Sequence, residues 1–140
     1  MIPNSTNDAY QGRFWASMAL LPVAAQSLIG GTLHVVLPDS GMNSIAGLNL
    51  AHEGGLTMIA LAAWVGATQI VWGLVLAAVA LNYRSFTFPL LVLVVMEKGL
   101  IILGTFIKPT NNDTPPGIFG AMFLLALCTL AIFGARPKSS

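Results

Sequence analysis

Residues 86–107 read FTFPLLVLVVMEKGLIILGTFI, an apolar run of membrane length with Glu97 and Lys98 side by side near its middle. A helix of about 20 apolar residues crosses the hydrocarbon core of a bilayer. A carboxylate or ammonium at mid-depth costs roughly 2.5–3.5 kcal/mol on insertion scales, so it faces a protein partner or a wet cavity rather than lipid. The remaining charged residues fall in stretches that read as loops or tails. The pair at 97–98 is therefore the expected polar centre of the molecule.

Three further apolar runs flank this one. Across 140 residues, 56% are hydrophobic and only 8% charged, whereas charged residues make up about 25% of a soluble domain. The spans are expected at about 14–37, 56–81, 86–107 and 117–134, so the chain reads as a single all-α domain, an integral membrane four-helix bundle. The first run is too long for the apolar core of a signal peptide and has no positively charged leader, so it reads as a retained span. Pro22 within it should kink the helix without ending it. Residues 1–13 read as a short polar tail. Residues 38–55, PDSGMNSIAGLNLAHEGG, mix breakers with Ile45, Leu48 and Leu50, which predicts a loop holding a short interfacial helix over 43–52. The four residues Asn82, Tyr83, Arg84 and Ser85 leave room only for a tight turn, making the second and third spans an antiparallel hairpin. Ala63, Ala67, Gly66, Gly73 and Ala77 form small-residue tracks along which another helix can approach closely.

Four spans place both termini and the Arg84 turn on one side. That side holds Arg13, Arg84, Arg136 and Lys138, and the other holds Lys108 alone, so the positive-inside rule puts both termini in the cytoplasm. With a net charge of +1 and no basic cluster, nothing marks a nucleic-acid partner. The lipid bilayer is the expected surrounding, with an oligomer of the chain or a larger membrane complex as further partners. The single cysteine, Cys128, excludes an intrachain disulfide and a Cys-rich metal site, and reads as a small buried hydrophobe.

Depth along each helix sharpens the polar centre. At about 1.5 Å per residue, Gln26 lies roughly 18 Å from the cytoplasmic end of its span, Gln69 roughly 18 Å and Glu97 roughly 16 Å from theirs. Unpaired amides and carboxylates at that level are costly, so Gln26, Gln69 and Glu97 are expected to share an interior and hydrogen-bond one another. Helical side chains lean toward the helix N-terminus, so Lys98 must curl toward Glu97 or face a second subunit. One reading of this layer is a buried ion pair with two amides that sets helix register. Another is a protonatable Glu97 that exchanges a proton or binds a polar ligand. At the outer face, His34, His52 and Glu53 are metal-ligand residue types, but no HExxH-like spacing joins them, so they read as wet interfacial residues and no metal is expected. Trp15, Tyr10 and Tyr83 read as interfacial anchors, and Trp64 and Trp72 as packing or lipid-facing.

Four short spans, an acidic third span with Glu97 and Lys98, a loop with Lys108, Pro109, Pro115 and Pro116, and an apolar last span followed by basic residues resemble the DoxX-like superfamily of small bacterial membrane proteins. The resemblance covers most of the chain in layout. It implies a bacterial inner-membrane protein, acting as an accessory subunit of a quinone-level redox complex, and it identifies no cofactor. Small multidrug transporters also have four spans and an intramembrane glutamate, but theirs is in the first helix, where this chain carries Gln26. Three functions stay open: a non-enzymatic subunit or small-ligand or lipid-binding protein centred on Glu97, Lys98, Gln26 and Gln69; a proton-coupled transporter working as an oligomer; and a membrane enzyme on a lipid-like substrate, using Glu97 with His34 or His52.

Overall fold

The computed structural model describes residues 3–108 and 117–136. Every long element is a helix: α1 (Phe14–Met18), α2 (Leu20–Val36), α3 (Gly55–Asn82), α4 (Thr87–Ile107) and α5 (Gly117–Ala135). With α1 and α2 taken as one span, four helical segments are long and apolar enough to cross a membrane, so the protein is an all-helical four-span bundle. Pro109, Pro115 and Pro116, expected in a loop, lie outside the described residues, as does Lys138.

Pro22 acts one turn upstream of itself. Lacking an N–H, it leaves the carbonyl of Met18 without its helical donor, and the helix is interrupted at Ala19 between α1 and α2. Ala19 still donates to the Trp15 carbonyl at 3.1 Å, so the span continues through the break.

The closest packing is between α2 and α3, and between α4 and α5. Glycine is what permits the first of these. A β-carbon on Gly66 would lie 2.6 Å from His34 Cβ and 2.8 Å from the Gly31 carbonyl, and one on Gly73 would lie 3.0 Å from the Ala24 carbonyl. The seam therefore uses Gly66 and Gly73. Ala67, expected on a small-residue track, is exposed instead. Although α3 and α4 are joined by the short 3-10 turn Arg84–Phe86, their backbones approach each other at few places. The two hairpin arms separate, and large side chains bridge the gap.

The N-terminal stretch is not a loose tail but a fastening. A helix ends with carbonyls that have no helical donor. Here Thr6 N–H and Ser5 Oγ both donate to the Asn82 carbonyl, and Asn7 Nδ2 donates to that of Leu81 at 2.6 Å. Arg84 N–H donates back to Asn7 Oδ1, Tyr83 OH donates to the Pro3 carbonyl, and Arg13 N–H reaches the Gly134 carbonyl of α5 at 2.8 Å. The Arg84 guanidinium lies 4.7 Å from the Phe14 ring centroid, and its Nε donates to the Ala80 carbonyl.

The expected helix over 43–52 does not form. Residues 38–46 are turns and 47–50 irregular chain, because Asp39 takes the backbone donors for its own side chain. Its carboxylate accepts from the N–H groups of Gly41, Asn43 and Ser44 and from Ser44 Oγ. Gly47, inside the expected range, has a positive φ of 67°, a left-handed conformation that does not continue a right-handed helix.

The apolar core is not centred. Leu20, Val23, Leu76, Leu91, Val94, Leu124 and Cys128 are fully or almost fully buried, and they fill the half of the bundle nearer the termini. Toward the opposite face the interior opens into a cavity between the spans.

Candidate functional site

Lys98 sits at the boundary between the dry half and the open half. It is 3% exposed. Its Nζ donates to Glu97 Oε1 at 3.1 Å and to Gln26 Oε1 at 3.2 Å, joining α4 to α2. Glu97 Oε2 accepts from Trp72 Nε1 at 3.1 Å, joining α4 to α3. Lys98 thus curls toward Glu97, one of the two placements its helix position leaves open. Both carboxylate oxygens have donors, and two neutral side chains, Gln26 and Trp72, brace the pair from either side. The network bridges the gap between α3 and α4 that the backbones leave.

The sequence-level expectation differs from this in one partner. Gln69, expected to bond Glu97, makes no hydrogen bond to Gln26, Glu97 or Lys98 among the described residues. Its amide lies instead beside Gly30, whose β-carbon would sit 3.5 Å from Gln69 Oε1. The place against Glu97 belongs to Trp72, which reads in the sequence as packing or lipid-facing. A signal for it exists: Trp72 is ten residues before the end of α3 and Glu97 ten residues after the start of α4. At about 1.5 Å per residue both stand roughly 15 Å above the connecting turn.

Gln26, Gln69 and Lys98 form the floor of a cavity of about 370 Å³ between α2, α3, α4 and α5. Its walls are Gly30, Leu33, Ile101, Ile118 and Ala121, and its mouth is at His34, Thr105, Gly117 and Ile45. From Gln26 to His34, two turns of α2, the floor lies roughly 12 Å below the mouth. Ile45 is carried there by the Asp39-capped loop. The Asp39 carboxyl, half-buried and hydrogen-bonded first of all by the Ser44 backbone, is lowered from 3.8 to about 2.

His34, His52 and Glu53, expected at the outer face, do not converge. His34 Nδ1 meets the Ser40 carbonyl at 2.6 Å; a carbonyl only accepts, so Nδ1 carries the proton. His52 is exposed and pairs with the backbone carbonyl of its neighbour Glu53 at 3.1 Å. Among the described residues no group of three or more His, Cys, Asp or Glu is placed to hold a metal ion. What the arrangement offers chemically is a narrow apolar cleft with a charge-neutral, donor-rich floor.

No protein-family model, curated protein or solved structure matches the chain.

Proposed function

We propose that this small membrane protein is a non-enzymatic binder of a small amphiphilic ligand, which occupies the cleft above Lys98. The carrying observation is that a cavity between the spans ends on Lys98, the buried member of the ion pair. A cleft of about 370 Å³ is at the small end of ligand pockets, which run from about 300 to 1,000 Å³ and combine apolar walls with a few placed polar groups. Walls of Leu33, Ile101 and Ile118 over a floor of Gln26, Gln69 and Lys98 have that composition.

Proton-coupled transport fits less well, since both oxygens of Glu97 are engaged by Lys98 and Trp72 and Glu97 does not line the cleft. An enzymatic role would need a second reactive group at the floor, and His34 stands about two helical turns away. The resemblance of its sequence layout to DoxX-like proteins is what supports a place as an accessory subunit in a larger bacterial inner-membrane assembly, where such a ligand would be presented to another chain.

Gly30 provides the test. A β-carbon there meets only Gln69 Oε1, at an ordinary contact distance, so Gly30→Val should fold while its methyl groups narrow the cleft. Mass spectrometry of the detergent-extracted protein should find a stoichiometric small amphiphile in the native chain and its loss in Gly30→Val. Equal ligand content in both would remove the cleft as the site.

A further inference from the structure

Counting donors and charges at the floor narrows the ligand class. We infer that the cleft takes an uncharged amphiphile whose polar end carries hydrogen-bond acceptors, of the ketone or ester type, seated against Lys98, Gln26 and Gln69. This rests on the cleft being a ligand site, as proposed above.

Lys98 has three N–H donors. Glu97 and Gln26 accept two of them, and no described residue accepts the third, although the side chain lines the cleft. Gln26, an exposed side chain, turns its oxygen to Lys98, and its NH₂ group has no protein partner among the described residues. The Gln69 amide also lines the cleft and has no protein partner among the described residues. The floor therefore presents an excess of N–H groups in a place where unpaired donors are costly. A carbonyl oxygen answers that excess.

The charge balance excludes ionic heads. The Lys98 charge is matched by Glu97 at 3.1 Å, so a carboxylate or phosphate on the ligand would add a second negative charge beside Glu97 in a medium of low dielectric. An ammonium would need the carboxylate, but both Glu97 oxygens are engaged by Lys98 and Trp72, and Glu97 is not among the residues lining the cleft. The neutral pair selects a neutral head.

Three amphiphiles of matched chain length test this: methyl octyl ketone, decanoate and decylammonium. Binding of each to the full-length protein in nanodiscs is measured by equilibrium dialysis, with Gly30→Val as the blocked control. The ketone should bind one per chain, with decanoate and decylammonium about ten-fold or more weaker, a difference of about 1.4 kcal/mol. A carbon-13 label on the ketone should show its infrared carbonyl band lowered by hydrogen bonding in the native chain. Gln26→Leu and Gln69→Leu, which leave the ion pair intact, should each weaken ketone binding and move the band back. Tighter binding of decanoate or decylammonium, sensitive to Gly30→Val, overturns the ligand class but keeps the cleft as a site. Ketone binding that neither glutamine change alters overturns the seating at the floor. If no probe binds in a manner sensitive to Gly30→Val, both the ligand class and the cleft fail.

Discussion

Lys98 is a cation sealed into the bundle, and its neighbours determine what replacing it would do. Taking away one member of a buried ion pair strands the other and typically costs about 3–5 kcal/mol, whereas removing both together can be close to neutral. Lys98→Met should therefore lower the thermal midpoint sharply in detergent, and adding Glu97→Gln should recover most of the loss, as followed by circular dichroism. No recovery in the double variant would mean that the pair does not act as a unit. Trp72→Phe keeps the ring but removes the donor to Glu97 Oε2, so it should cost about 1–3 kcal/mol, the usual penalty for a buried acceptor left unpaired. That loss should vanish when Glu97 is already leucine, which has no acceptor, since the two changes then remove the same bond. The pair at 97–98 was legible from depth alone. Trp72 matches Glu97 in depth when both are counted from the connecting turn, but that it rather than Gln69 faces the carboxylate was not legible, because tryptophan is common in membrane helices for its bulk.

At the scale of elements, the α2–α3 seam depends on missing side chains. Gly66→Ala places a methyl 2.6 Å from His34 Cβ and should destabilise by about 1–3 kcal/mol, the usual cost of overpacking. Gly99→Ala meets nothing within 4 Å and should be neutral or stabilising by up to about 1 kcal/mol through helix propensity. Comparing the two thermal midpoints separates a packing glycine from an incidental one. The loop over 38–46 answers to acid. Its organising carboxyl, Asp39, is depressed to about 2 from 3.8, so the order it confers is fully present above about pH 3.8 and is lost as pH falls through about 2. Amide exchange at Gly41, Asn43 and Ser44 should accelerate only within that acid window, and in Asp39→Asn it should be fast at neutral pH. A loop equally protected in Asp39→Asn would show that the backbone turns hold without the carboxylate.

For the whole molecule, we propose from the charge bias that the face with the termini is cytoplasmic. With Cys128 replaced by alanine, a cysteine at Asn4 should be shielded from an impermeant thiol reagent in intact cells, and one at Ala51 should label. The opposite pattern would reverse the orientation. The docked N-terminal stretch makes a further demand on the assembled bundle. It supplies donors to the last carbonyls of α3 and ties α1 to α5, so deleting residues 1–9 should expose those carbonyls and lower the thermal midpoint. A truly loose tail would leave the midpoint unchanged.

The four spans, the tight turn between the second and third, and the polar centre at Glu97 and Lys98 were determined by the sequence itself. Each is a local property: hydropathy summed over about 20 residues decides what enters a bilayer, and a charge in the middle of such a run stands out against it. What only the tertiary structure decided is which way each helix faces. These helices are apolar almost all round, so their sequences carry little facing signal of the kind that marks an amphipathic helix. The choice of Trp72 over Gln69 beside Glu97, of Gly66 and Gly73 over Ala67 at the seam, and the cleft above Lys98 all follow from helix rotation and separation. Packing among the spans sets both, and no single segment encodes them.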